Sequence, residues 1–136
     1  MLSTIERVLL LRTVGMFAEA SGDVLADVAA LLRELHAAPG QRIIEKGELG
    51  TAMYIIATGS ARAHDGETVL ATMGERDVFG ELAALDPEPR SASVTAEEDS
   101  VLLALEHAPL MELIGDRPEV ARGVIRFLCA RVRARS

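Results

Sequence analysis

The chain has 136 residues and a formal net charge of −7 at pH 7, and 49% of its residues are hydrophobic but only 3% aromatic. This length and composition predict one ordinary domain with an aliphatic core and exclude a disordered chain. The negative charge argues against nucleic-acid binding by this chain, because that function needs a basic surface. The longest apolar run near the N-terminus, Val8 to Leu11, is too short for a membrane span or a secretion signal, so we expect a cytoplasmic protein.

Helical patterns occupy the first 38 residues. The segment Ser3-Thr4-Ile5-Glu6 has the spacing of a capping box and predicts a helix that continues to about Val14. A second helix is expected to begin within Ser21–Asp23, and Pro39-Gly40 should end the helical part. The apolar stripe of this second helix consists of Val24, Leu25, Val28, Leu31, Leu32 and Leu35.

Residues 39–106 are divided by glycines into short segments that are rich in β-branched or alternating residues. Short strands separated by such closely spaced glycines favour a jelly roll or sandwich over a parallel sheet with crossover helices. The predicted strands are Arg42–Lys46, Met53–Thr58, Ala61–His64, Thr68–Met73, Ser91–Ala96 and Ser100–Leu105. The expected fold class is therefore α+β, an antiparallel, jelly-roll-like β-roll flanked by N-terminal and C-terminal helices.

Helical periodicity returns at Pro109–Ile114 and again after residues 116–119, which have a capping-box spacing. The last helix has an apolar stripe of Val120, Val124, Phe127 or Leu128, and Val132. Arg131 falls within roughly 20° of Val120 and Val124 on a helical wheel, so an arginine ends the predicted buried stripe. On the opposite side, Arg122, Arg126 and Arg133 form either a solvated face or a docking surface for an acidic partner.

Residues that could carry catalysis or bind a metal do not cluster in the sequence. Cys129 has no partner or CxxC context within an apolar helical pattern, which predicts a buried structural thiol in a reducing compartment. His36, His64 and His107 lie far apart, without the His-x-His pair that a metal-dependent jelly-roll enzyme would need. We therefore expect a binding module with no catalytic residues, metal or cofactor.

The most informative segment is residues 79–96. It places the Glu81 carboxylate and the Arg90 guanidinium nine residues apart, joined by small and apolar residues. Gly80 would let the backbone approach a ligand closely. Residues Leu82–Leu85 are predicted to form a short helical turn whose free N–H groups face an anion, and Pro87 and Pro89 would end it.

Arg90 is predicted to head the following strand and to share an inward face with Ala92, Val94 and Ala96. An arginine rarely lies inside a protein unless an anion meets it there. One carboxylate that accepts from hydroxyls, one arginine and several backbone donors would together hold a sugar phosphate with a single negative charge.

The sequences Phe-Gly-Glu-Leu-Ala (79–83) and Pro-Arg-Ser-Ala-Ser-Val (89–94) resemble the phosphate-binding cassette of cyclic nucleotide-binding domains. The spacing from Glu81 to Arg90 is similar to that of protein kinase A regulatory subunits and prokaryotic cyclic-nucleotide-gated potassium channels, and one residue shorter than in catabolite activator protein. The resemblance extends from about Phe17 to Arg131. It implies a single domain over residues 1–136, with a helical part at 1–38, a β-roll with the cassette at 39–106, and lid helices at 107–136.

The resemblance also implies roles for individual residues. Glu81 would accept from the ribose 2′-hydroxyl and Arg90 would pair with the cyclic phosphate, with Ala83 and Ser91 as backbone donors. Arg131, thirteen residues after Pro118, would stack on the adenine, the alternative being an arginine that only extends into solvent at a helix end. The predicted ligand-binding residues are Phe79, Gly80, Glu81, Leu82, Ala83, Arg90, Ser91, Ala92 and Arg131. Ala63 and Leu70 would be walls of the base pocket or plain core.

The ligand implied by the resemblance is cAMP rather than cGMP. A Ser or Thr at the position of Ser91 often accompanies cGMP in this family, but cAMP-binding members carry Ser there as well. The alternative is a degenerate domain that binds no ligand and serves as a protein-interaction scaffold. In either case we expect an effector, a further domain or a separate protein, outside these residues.

Overall fold

The computed structural model of the protein describes residues 1–135, so Ser136, the last residue of the predicted lid helices, lies outside the described part. Its α-helices are α1 (Thr4–Leu11), α2 (Gly22–Leu31), α3 (Glu81–Leu85), α4 (His107–Asp116) and α5 (Pro118–Ala134), with a 3₁₀ turn at Gly15–Phe17. The strands are β1 (Arg33–Ala37), β2 (Arg42–Ile44), β3 (Leu49–Gly50), β4 (Ala52–Thr58), β5 (Ala61–Asp65), β6 (Thr68–Met73), β7 (Val78–Phe79), β8 (Glu88–Pro89), β9 (Ser93–Ala96) and β10 (Ser100–Glu106). None of the described helices is long and apolar enough to cross a membrane.

The elements form two compact units. The β-roll unit comprises residues 32–107, and the helical unit comprises residues 1–31 together with those from Ala108 onward. Each unit has its own internal organisation. The predicted class, an antiparallel roll of short strands with flanking helices, is confirmed.

The β-roll unit contains two four-stranded antiparallel sheets, in the orders β1-β10-β4-β7 and β2-β9-β5-β6, and a separate two-stranded pair, β3-β8. Strands of both sheets contribute to one buried cluster, which includes Ile44, Ile56, Ala61, Phe79, Val94 and Leu102. The Tyr54 and Phe79 rings stack beside it, with centroids 5.1 Å apart. The core is therefore mostly aliphatic, as the low aromatic content predicts.

The expectation that the helical part extends to residue 38 is wrong. Helix α2 ends at Leu31, and residues 33–37 form β1, which pairs with β10 in a register that sets Leu35 opposite Leu102 and Ala37 opposite Ser100. Leu35 fits a helical stripe and an alternating strand equally well. The pairing with β10, far along the chain, decides between them.

The N-terminal helix has the predicted cap but is shorter than expected. The Ser3 hydroxyl accepts from the Glu6 N–H at 3.1 Å, and a Glu6 carboxylate oxygen accepts from the Ser3 N–H at 3.0 Å, which completes the capping box. The helix ends at Leu11 rather than near Val14, because the Thr13 hydroxyl and N–H both donate to the Leu10 carbonyl and close a tighter turn.

Helix α5 is attached to the rest of the helical unit through its N-terminal half. Its N-cap is Arg117, without a side-chain capping bond, so the capping box predicted at residues 116–119 does not form. Glu119 instead accepts from the Ser21 N–H at 2.5 Å, and Arg117 pairs with Asp27 at 2.5 Å. Arg126 pairs with Glu19, so at least this arginine of the predicted basic face has a partner within the domain.

The apolar stripe predicted for α5 is only half correct. Val120 and Val124 are buried, and Phe127, one of the two alternatives for the next position, is half-buried beside Gly15, but Leu128 and Val132 are exposed, the latter by 67%. Cys129 is also exposed, which overturns the expectation of a buried thiol. The reason is that α5 packs against the segment Gly15–Phe17 through residues as far along as Phe127, whereas Leu128 and Val132 beyond it are not buried within this unit.

A glycine fixes the approach of α5 to this segment, which yields a prediction. A Cβ added at Gly123 would lie 2.4 Å from the Met16 carbonyl oxygen, a backbone atom that cannot move away cheaply. We expect Gly123→Ala to lower the free energy of unfolding by ~1–3 kcal/mol in urea denaturation. The matched control is Gly115→Ala in α4, where no atom lies within 4 Å of the added carbon. That change should be neutral or stabilising by up to ~1 kcal/mol, and equal effects of the two would contradict the packing argument.

Candidate functional site

The predicted cassette forms a short helix between two very short strands. Gly80 has a φ of +77°, a left-handed conformation, and is the N-cap of α3. The helix ends at Leu85, ahead of Pro87, as predicted. Strand β8 then pairs with β3, with Leu49 opposite Pro89 and Gly50 opposite Glu88. This pairing brings β3, distant in sequence, alongside Arg90.

Arg90 is held at three points. Its Nη2 donates to the Ala52 carbonyl at 2.7 Å, its backbone N–H donates to the Glu48 carbonyl at 2.8 Å, and its own carbonyl accepts from the Gly47 N–H at 2.9 Å. The side chain is half-buried. Within residues 1–135 no carboxylate forms an ion pair with this guanidinium. Most of its five N–H donors therefore remain for another acceptor.

Two glycines make the space that the Arg90 side chain occupies. A Cβ added at Gly50 would lie 2.4 Å from Arg90 Nε and 2.6 Å from Cζ. A Cβ added at Gly80 would lie 2.7 Å from Nη1 and 2.9 Å from the Ala52 oxygen. Gly80 was predicted as a site residue, but Gly50 was missed, because in the sequence it is only one of many glycines between short strands.

A small pocket of about 90 Å³ lies beside the guanidinium. Its lining includes Arg90 and Ala52, and also the acidic residues Glu45, Glu48 and Glu106. Glu45 pairs with Arg42, and Glu106 accepts from Arg33 at 3.1 Å and from the Thr51 hydroxyl at 3.1 Å. Two of the three negative charges thus have partners of their own and are not directed at Arg90.

Arg90 does not head a strand, contrary to the prediction. Strand β9 begins three residues later at Ser93, and Arg90 lies in the link between β8 and β9. All four residues of β9 are buried, because this central strand is covered on both faces, so alternation does not select an inward row. The buried Ser93 hydroxyl accepts from the Lys46 N–H, and the Thr95 hydroxyl contacts Arg42 and His64.

The other cassette residues lie where α3 and the following link place them. Glu81 is the first residue of α3 and is half-buried, whereas Leu82 is 45% exposed. The Ala83 N–H donates to the Gly80 carbonyl at 3.1 Å, so a ligand oxygen would have to share this donor. Ser91 is exposed and Ala92 is half-buried.

Phe79 belongs to the core rather than to a ligand surface. Its side chain is only 8% exposed and stacks on Tyr54, and the two residues are paired across β7 and β4. Only its backbone could contact a ligand. Of the two possible pocket walls, Ala63 is half-buried against the core cluster, while Leu70 on β6 is 58% exposed and is therefore not plain core.

Arg131 lies in the last turn of α5, in the helical unit. Its Cζ is 5.6 Å from the centroid of the Phe127 ring, within the range of a cation–π contact. The contact is between residues four positions apart on α5. Its role as a lid over an adenine stays a prediction, as do the ligand contacts of the other site residues.

Among the described residues, no three His, Cys, Asp or Glu side chains are grouped so that they could hold a metal ion. The site combines a half-buried arginine with a short helix that begins at a left-handed glycine.

Comparison with known proteins identifies the family. The family model named cyclic nucleotide-binding domain matches residues 34–117. A CRP-like cAMP-activated global transcriptional regulator of Mycobacterium tuberculosis is 33% identical over 91% of this chain, which spans 58% of that protein. The crystal structure of the N-terminal domain of a transcriptional regulator from Streptomyces coelicolor has a TM-score of 0.85 and 32% identity, covering 92% of this chain and 91% of that one.

The catabolite activator protein of Thermus thermophilus has a TM-score of 0.75 and 32% identity, covering 88% of this chain and 59% of that one. The chain therefore spans somewhat more than half the length of these two relatives. Together with the cassette and the roll, these matches show that the chain belongs to the cyclic nucleotide-binding domain family.

Proposed function

We propose that this domain binds a cyclic nucleotide, cAMP in preference to cGMP, and acts as a regulatory module. The observation that carries the proposal is the state of Arg90. A half-buried guanidinium fixed by one carbonyl, with room made by two glycines and no carboxylate paired with it among the described residues, needs an anion. The family match and the cAMP-activated transcriptional regulator among the relatives support a regulatory role.

The proposed binding mode assigns one role to each polar group. Arg90 pairs with the cyclic phosphate, and a charge-assisted contact of this kind is stronger than a neutral hydrogen bond. Glu81, at the start of α3, accepts from the ribose 2′-hydroxyl, and backbone N–H groups of the cassette complete the anion site. Arg131 stacks on the base, so that α5 favours the ligand-bound form and transmits the signal.

The output of the module is proposed to lie outside these residues. One relative is named a cAMP-activated global transcriptional regulator, and this chain spans 58% of its length. We propose an effector in a further domain or a separate protein. The absence of nucleic-acid contacts by residues 1–136 and the cytoplasmic location both stay predictions.

The second candidate is a degenerate domain that serves only as an interaction scaffold. The position of Arg90 Nη1 beside Gly80, the N-cap of the helix that begins with Glu81, weighs against it. Isothermal titration of the purified domain with cAMP and with cGMP separates the two functions. Heat of binding to either nucleotide supports the sensor, and no binding at millimolar nucleotide supports the scaffold.

Replacing the phosphate arginine should remove tight binding and leave the fold intact. For Arg90→Leu we expect a loss of ~2–5 kcal/mol of binding free energy, which is roughly thirty- to several-thousand-fold in the dissociation constant. The exposed Arg12→Leu, which changes the net charge equally, is the control and should bind as the wild type does. Binding of Arg90→Leu within threefold of wild type would refute the phosphate role.

The glycine at position 50 should be needed for binding rather than for stability. The atoms nearest to an added Cβ belong to the flexible Arg90 side chain, which can move aside. We expect Gly50→Ala to weaken cAMP binding by ~1.5–3 kcal/mol, the range for a lost hydrogen bond to a charged group, while the melting temperature changes little. In the control, Gly74→Ala, the added carbon meets no atom within 4 Å. Equal affinities of the two variants would contradict the assignment.

The preference for cAMP should be modest, on the order of tenfold or ~1.4 kcal/mol. The Ser91 side chain is exposed in the link after Arg90, and its hydroxyl forms no hydrogen bond with any of residues 1–135. It is therefore available to a guanine, which keeps the discrimination small. A competition titration measures the ratio directly. If cGMP displaces cAMP at an equal or lower concentration, the preference is wrong, and Ser91→Ala tests whether the hydroxyl is responsible.

A further inference from the structure

We propose that His107 is a positioning residue for the phosphate-binding segment, which rests on the proposed function. His107 is the first residue of α4, directly after β10, and belongs to the β-roll unit. Its ring nitrogen Nδ1 lies 2.7 Å from the Ala84 carbonyl oxygen, near the C-terminal end of α3. Its backbone N–H donates to the Thr51 carbonyl at 2.8 Å.

The contact with Ala84 has a defined direction. A carbonyl oxygen only accepts, so Nδ1 of His107 carries the proton and donates it. The last carbonyls of a helix have no partner within the helix, and Ala84 is fully buried, so this oxygen would otherwise lack a donor in a place that water does not reach. A helix of five residues has little stability of its own. Its position therefore depends on such anchors at its ends.

The same backbone segment that holds His107 also holds Arg90. The Thr51 carbonyl accepts from the His107 N–H, and the next carbonyl, that of Ala52, accepts from Arg90 Nη2. The Ala52 oxygen also lies close to Gly80, at the N-terminal end of α3. Two adjacent carbonyls at the start of β4 thus fix the arginine and, through His107, the far end of the helix.

The consequence is geometric. If the C-terminal end of α3 is released, Glu81 and the first N–H groups of the helix shift relative to Arg90, which stays attached to Ala52. A ligand that must meet the arginine and the helix at once loses affinity, although neither contact residue has changed. His107 acts through α3 and does not itself touch the ligand.

The position of the donor nitrogen provides a sharp test. In His107→Asn the side-chain amide nitrogen occupies the place of Nδ1, whereas in His107→Gln it reaches the place of Nε2, so the two variants match in chemistry and differ only in reach. We expect Gln and Leu at this position to weaken cAMP binding about tenfold, as for the loss of one hydrogen bond to a buried carbonyl, and Asn to remain within about threefold. His36→Gln, at an exposed histidine on β1, is the control and should bind as the wild type does.

Hydrogen exchange of the ligand-free protein provides a readout that does not need the nucleotide. The amide of Asp86, which donates to the Leu82 carbonyl in the last turn of α3, should exchange faster in His107→Gln than in His107→Asn. A double-mutant cycle with Arg90→Lys adds a second readout, because the loss caused by His107→Gln should shrink when the arginine is already absent.

Each outcome decides between the possible roles. Equal affinities of the Asn, Gln and wild-type proteins overturn the positioning role, while the proposed function stands. A loss in all three variants that follows their melting temperatures assigns His107 to general stability and also overturns the role. A wild-type domain that binds neither cAMP nor cGMP overturns the proposed function itself, and with it a role in positioning the ligand site.

Discussion

The contact on which the site depends is the hydrogen bond from Arg90 Nη2 to the Ala52 carbonyl. It holds a guanidinium in a half-buried place where the side chain must run across backbone, and this is possible only where no Cβ intervenes. Glycine at positions 50 and 80 is the direct consequence. The backbone of Arg90 is also hydrogen-bonded to Glu48 and Gly47, which lie directly before β3. These bonds continue the pairing of β3 with β8 and hold the two short strands together.

In the helical unit, too, a glycine permits a close approach, in this case between two backbone segments. Gly123 lets the backbone of α5 approach the Met16 carbonyl, and Glu119 and Arg117 attach the start of the helix to Ser21 and Asp27. These contacts all lie in the first half of α5. Further along the helix Leu128 and Val132 are exposed, and Arg131 lies near the Phe127 ring, one turn earlier on the same helix.

The features that could be predicted from the sequence are those that short segments determine. The capping box at Ser3, the six strand segments and the turn after Gly80 each depend on neighbours a few residues apart, and each formed, with small shifts of their ends. The features that were missed depend on distant partners. Strand β1 exists because of β10, and the role of Gly50 because of Arg90, contacts that no local pattern contains. Cys129 was misjudged for the same reason, since helical periodicity does not say how far along a helix its partner extends.

The hydrogen bond from Arg90 to the Ala52 carbonyl also explains how the site could bind an anion without rearrangement. A guanidinium has five N–H donors, and a paired contact with a phosphate needs two. The bond to Ala52 uses one of the two Nη2 hydrogens and leaves the other free to pair with a donor on Nε or Nη1, and Nη1 is the nitrogen that lies beside Gly80 at the start of α3. The arginine therefore need not release its anchor to meet a ligand. Ordering a long side chain on binding costs ~0.5–1.5 kcal/mol, and here that order is already present in the folded domain. Because the Arg90 side chain stays anchored, it cannot move to meet a ligand that is slightly displaced. The affinity of the site for an anion therefore depends on how accurately α3 is held opposite Arg90.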